Sequence, residues 1–157
     1  MSNMMTEALW PFALAVYTQP GVTDACLRLQ AAGADVCLLL TAAWLDRQGI
    51  QLTPERQRVL ESLAAPWRTQ VIEPLRRVRT DWRAAAQSDP ALTALRERLK
   101  HLEVDAEREL LARLEQASVG WPADGQPLST GWLAALSGHA GWTEPQALAQ
   151  LAQAAID

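Results

Sequence analysis

"CLRLQAAGADVCLLLTAAWLDRQG", residues 26–49, is the most hydrophobic stretch of the chain and carries both of its cysteines. A membrane segment, a redox or metal site, and the middle of a protein core are the three readings it invites. Its apolar run extends only from Val36 to Leu45, short of the roughly 20 residues that a spanning helix needs. Asp35 bounds the run on one side, Asp46 and Arg47 on the other, and within it the side chains are apolar around the whole helical circumference. Such a helix belongs inside a protein, with amphipathic helices packed around it. Asp35 near its start, Arg47 in its last turn and Gly49 just beyond its end agree with capping and with the helix dipole, so the pattern predicts a central helix over about 34–48.

Proline, glycine and capping residues divide the rest of the chain into further helical segments, and no run of alternating β-branched residues suggests a strand. The fold expected is therefore all-α, a single-domain bundle of about six or seven helices spanning 1–157. One helix is predicted over Thr6 to Thr18 and another over Val22 to Ala32, separated by the turn at Gln19 to Gly21. Thr53 as N-cap, Pro54 at the first helical position and Glu55 in the first turn start a long element that runs towards Ala86. Leu60, Leu63, Trp67, Val71, Leu75, Val78 and Trp82 form its apolar stripe, interrupted by Pro66 and Pro74. Each interior proline costs about 3 kcal/mol in a straight helix, which predicts kinks or a break. Ser88 to Pro90 caps the next helix, with Leu92, Leu95, Leu99, Leu102, Ala106, Leu110 and Leu114 on one side. A Gly- and Pro-rich loop over about 118–131 precedes two short helices, near 132–137 and 144–156.

Composition narrows the classes of function. The chain has 157 residues, 49% of them hydrophobic and 20% charged, which suits an ordinary globular core. A net charge of -4 disfavours a generic nucleic-acid binder, because duplex affinity comes mainly from clustered Lys and Arg. No basic n-region precedes the apolar residues Leu9 to Tyr17, so no signal peptide is expected. Two cysteines without metal-type spacing point to free thiols in a reducing cytoplasm. Phosphate-cradling glycine loops, nucleophile elbows and zinc or dinucleotide fingerprints are absent, and no metal or cofactor is expected.

Seven Trp stand beside a single Phe and a single Tyr. Trp44, Trp67 and Trp82 sit on apolar stripes and are expected in the core, whereas Trp10, Trp121, Trp132 and Trp142 lie near ends or loops and are expected to be partly exposed. The one basic concentration is Pro66 to Arg83. There Arg68, Arg76, Arg79 and Arg83 each follow a stripe residue by one position and form a row about 100° around the helix from it, beside Trp82. Such a row suits a phosphate, a carboxylate or an acidic partner, although Glu73 and Asp81 also lie within reach of neighbouring arginines. Glu97, His101 and Asp105 share one face of the following helix, but with Arg98, Lys100, Glu103 and Glu107 around them they read as an exposed, salt-bridged surface. Cys26 and Cys37 read as small core residues.

The residues Trp10-Pro-Phe12, Tyr17-Thr-Gln-Pro-Gly-Val22, Ala25-Cys-Leu-Arg-Leu-Gln30, Gly33-Ala-Asp-Val-Cys-Leu-Leu-Leu40, Trp44-Leu45, Trp67 and Pro74-Leu-Arg-Arg-Val-Arg79 resemble a family of small bacterial proteins known only as a domain of unknown function. The resemblance spans about residues 10–83 and implies a cytoplasmic bacterial setting without implying an activity. It also implies an Asp at the place of Ala31 and an Asn at the place of Cys37 in many members, and hence no family-wide role for a thiol at 37.

The function is thus unknown from the sequence, and three expectations compete. The first is a non-enzymatic cytoplasmic protein that acts in interaction or regulation by binding a partner protein through Arg68, Arg76, Arg79, Arg83 and Trp82. The second is a binder of an anionic ligand, such as a nucleotide, RNA or a phosphorylated metabolite, on the same arginine row. The third is an enzyme with an interhelical pocket that uses dispersed acids such as Asp24, Asp35 and Asp46.

Overall fold

The computed structural model describes residues 7–127 and 130–157, and every regular element among them is helical. The opening stretch forms α3 (Val36–Gln48), and from Cys37 to Asp46 every residue of it is buried. The Asp35 carboxylate accepts the Leu38 amide at 3.3 Å as N-cap. At the other end Gly49 takes φ 74°. A Cβ there would lie 2.9 Å from the carbonyl oxygen of Gly125, so both the left-handed backbone and the close approach of the loop require glycine.

Around α3 pack α1 (Leu9–Tyr17), α2 (Val22–Ala31), α4 (Pro54–Trp67) and the long α7 (Pro90–Ala117). In α1 the buried side chains are Leu9, Phe12, Ala13 and Val16, one stripe at helical spacing. Its predicted start at Thr6 lies outside the described residues. The Glu115 carboxylate of α7 accepts the Leu9 amide at 2.9 Å, so a distant side chain takes over the capping. Thr53 and Asp89 cap α4 and α7 as predicted, accepting from Arg56 and Leu92, each at 3.2 Å.

The C-terminal helices close the other side of the core, with α10 (Pro145–Ile156) against α2 and α8 (Gly131–Ser137) against α3. A single turn, α9 (His139–Thr143), stands between them. The connecting loop folds back on the end of α3, where the Gly125 amide donates to the Gly49 carbonyl at 2.7 Å. Trp132 is only 1% exposed, contrary to the expectation from its place at the edge of the loop. Its ring stacks on Trp121 with centroids 5.9 Å apart, and its Nε1 donates to the Ile50 carbonyl at 2.7 Å. Asp46 reaches across from α3 to accept the amides of Trp132 at 2.9 Å and Leu133 at 3.1 Å, which satisfies the start of α8.

The long element between Thr53 and Ala86 departs most from expectation. The helix passes through Pro66 without a break, widens into a π-helical turn at Arg68–Ile72, and continues as α5 (Glu73–Asp81) and the short α6 (Arg83–Ala86). Pro74 has no N–H to offer the carbonyl four residues back. The chain meets this with a wide turn in which the Glu73 amide donates to the Arg68 carbonyl, five residues back. A wide turn changes the rotation of everything after it. The buried line runs through Leu60, Ala64 and Ile72, with Trp67, Val71 and Leu75 partly buried against it, while Leu63 before the turn and Val78 after it are exposed. A similar correction holds in α7, whose Leu95 and Leu102 are half exposed while Glu103 is buried beside Ala106, Leu110, Leu111 and Leu114.

Candidate functional site

A cleft of about 320 Å³ opens between α1, α2, the start of α3, the π turn with α5, and α7. Trp10, Ala13, Leu40, Ile72 and Leu111 supply apolar wall, and Arg68, Arg76, Arg79, Asp35, Glu103 and Glu107 supply its charges. The three arginines share this wall with Ile72 because each lies three or four residues from the next inward position.

Each arginine is held differently. Arg68 Nε donates to Glu73 Oε1 at 2.8 Å. In an α-helix residues five apart point roughly 140° away from each other, so this pair depends on the π turn. Arg79 is ion-paired with the buried Glu103, and its carbonyl accepts from Arg96 Nε at 2.9 Å. Arg76 closes no ion pair with any described residue. Its positive charge is nevertheless felt by Asp35, Glu107, Cys37 and Tyr17.

Asp35 is 9% exposed. One carboxylate oxygen caps α3; the other, Oδ2, is buried without a hydrogen-bond partner. Burial pushes the Asp35 carboxyl above the usual range, against the opposing effect of the Leu38 amide, Arg68 and Arg76. Burial also raises Glu107, with Arg76 pulling the other way. Desolvation lifts the Cys37 thiol well above its ordinary range and the Cys26 thiol to about 11, so neither is a ready thiolate. Both cysteines are free and buried.

An Asp35→Asn variant keeps a side-chain acceptor for the Leu38 amide, since Asn is as good an N-cap as Asp. A folded-state pKa raised above the ordinary 3.8 means that the native state holds the proton more tightly. The stability this contributes is present below 3.8 and is lost as pH rises through the folded value. The melting temperature of the variant minus that of the parent is therefore expected to grow with pH from about pH 4 towards neutrality. Circular dichroism melts across that window measure it; a flat or falling difference would contradict the raised carboxyl.

Of the residues singled out in the sequence, Arg68, Arg76 and Arg79 come together on the cleft wall. Arg83 is exposed on α6, and Trp82 is half-buried at the α5–α6 junction; neither is among the residues that line the cleft. Glu97, His101 and Asp105 are exposed. Asp24 is on the surface, 3.2 Å from Arg28, and Asp46 is engaged with the start of α8. No group of three or more His, Cys, Asp or Glu side chains among the described residues is placed to hold a metal ion. Glu103 and Glu107, expected on the exposed face of α7, are corrected to its inward side. Their spacing to Leu110, Leu111 and Leu114 is the signal that places them there, because steps of three, four and seven share a helical face.

The fold and the cleft define an all-α protein with a charged, partly apolar interhelical pocket, and no helix among the described residues is long and apolar enough to cross a membrane. The chain belongs to the family described as "Protein of unknown function (DUF2390)", which it matches over residues 8–114. No curated protein and no solved structure matches it significantly. Every residue lining the cleft falls within the matched span, whereas α8, α9 and α10 lie beyond it.

Proposed function

We propose that this protein is a binding module for a small organic molecule carrying a single anionic group, which sits in the interhelical cleft against Arg76. The observation that carries this reading is an arginine on the wall of a concave, partly apolar site, with no ion pair to any described residue. A guanidinium takes a carboxylate through two parallel hydrogen bonds, and clefts from about 300 Å³ upward suit small ligands. Charge balance supports one anionic group over a polyphosphate or RNA. Arg68, Arg76 and Arg79 are matched on the same wall by Asp35, Glu103 and Glu107, and the chain as a whole is acidic at -4. The two buried free thiols fit a reducing, cytoplasmic setting, as does the bacterial context that the resemblance implies.

Thermal-shift titration with hydrocinnamate, a carboxylate on an apolar body, tests the reading against adenosine monophosphate. Saturation at about 100 times the dissociation constant adds roughly 2.7 kcal/mol, or about 5–10 °C for a chain of this size. The shift is expected for hydrocinnamate and is expected to vanish in Arg76→Gln. A preference for the nucleotide, or a shift that survives in Arg76→Gln, would overturn the proposal. Partner binding is a second reading, supported by the exposed Arg83 beside half-buried Trp82. A partner captured from lysate that is lost with Arg83→Glu but retained with Arg76→Gln would favour that surface.

A further inference from the structure

We infer that the natural ligand is a zwitterion, a small amino-bearing carboxylate with an apolar body, whose ammonium is received by Asp35 while its carboxylate lies on Arg76. This inference rests on the cleft reading above and adds the second recognition point. Two independent observations bear on it. Asp35 is nine-tenths buried in the cleft wall, and its Oδ2 has no hydrogen-bond partner. A buried carboxylate oxygen of this kind is costly, and such groups in folded proteins ordinarily find a donor. Separately, Asp35 and Glu107 both feel the charge of Arg76, yet neither closes an ion pair with it. Arg76 and these two acids thus share the cleft without pairing, whereas Arg79 and Glu103 on the same wall are already joined. A molecule that is positive at one end and negative at the other answers both sides at once, and it does so without altering the balanced charge of the wall. A simple anion answers only Arg76 and adds repulsion from the two acids. The apolar lining from Trp10, Ile72 and Leu111 suits a hydrocarbon side chain on such a molecule.

Isothermal titration with L-phenylalanine, hydrocinnamate and phenethylamine separates the possibilities, because the last two lack the ammonium and the carboxylate respectively. A charge-assisted hydrogen bond to a buried carboxylate corresponds to roughly tenfold or more in affinity. L-Phenylalanine is expected to bind at least that much more tightly than either analogue. Asp35→Asn is expected to abolish the preference for L-phenylalanine over hydrocinnamate, weakening the former and, by removing one repelling charge, not weakening the latter. Equal binding of L-phenylalanine and hydrocinnamate would overturn the zwitterion inference while leaving the anion site standing. Absence of binding by all three at millimolar concentration would overturn both. The analogue comparison on the unaltered protein decides the matter even where the variant is unstable.

Discussion

Leu39→Asp is expected to leave no cooperatively folded protein near neutral pH. Leu39 is 0% exposed in the middle of α3, the helix that α1, α4, α7, α8 and α10 all touch. Loss of the leucine forfeits about 1.5–3 kcal/mol of burial. A carboxylate in its place has no cation to meet inside an apolar cluster and costs several kcal/mol more, whether it ionises or takes up a proton. The sum reaches the whole margin of about 5–15 kcal/mol by which a domain of this kind is stable. Far-UV circular dichroism and gel filtration measure the outcome. A helical, monodisperse variant with a sharp melting transition would mean that α3 is not the centre of the fold. The contrast with Asp35, only four residues earlier, is instructive. There the acid stands at the rim of the buried run, caps the helix and is tolerated.

The second large effect is expected from Trp132→Ala, at a cost of about 3–5 kcal/mol. The substitution removes one of the largest fully buried side chains, its stack on Trp121 and its hydrogen bond to Ile50. For a chain of this size that corresponds to a melting temperature lower by roughly 10 °C. Trp132→Phe keeps an aromatic surface for the stack but leaves the Ile50 carbonyl without its donor, at about 1–3 kcal/mol. Native-state hydrogen exchange should localise the loss to the loop before α8 and to α8 itself, since Trp132 and Asp46 tie this segment to α3. Uniform loosening of all the helices, or a melting temperature unchanged in Trp132→Ala, would show that the C-terminal helices are held by something other than this anchor.

Much of the fold was legible because its signals are local. Thr53-Pro54, Asp89-Pro90 and Gly49 announce helix ends through single caps and backbone angles, and these work whatever the rest of the chain does. The apolar run from Val36 to Leu45 likewise announces a helix buried on all sides. Less of the site could be read. Arg68, Arg76 and Arg79 were identifiable as a row, but their sharing of one cleft wall with Asp35 and Glu107 was not. Trp132 was misplaced on its neighbours' evidence, since the glycines and prolines around it mark a loop and say nothing of what that loop covers.

The sequence by itself determined that this is an all-α chain arranged around one short apolar helix, because caps, turns and helical periodicity act within a few residues. Only the tertiary structure decided which faces of α5 and α7 look inward. The reason is physical: the π turn at Arg68–Ile72 resets the rotation of every residue after it, and packing on α7 then selects the face that carries Ile72, Arg76 and Arg79. A glutamate such as Glu103 becomes a buried partner only when a distant arginine arrives beside it. Asp35 becomes a buried, half-satisfied carboxylate in a cleft only when α1, α5 and α7 close around the end of the helix it caps.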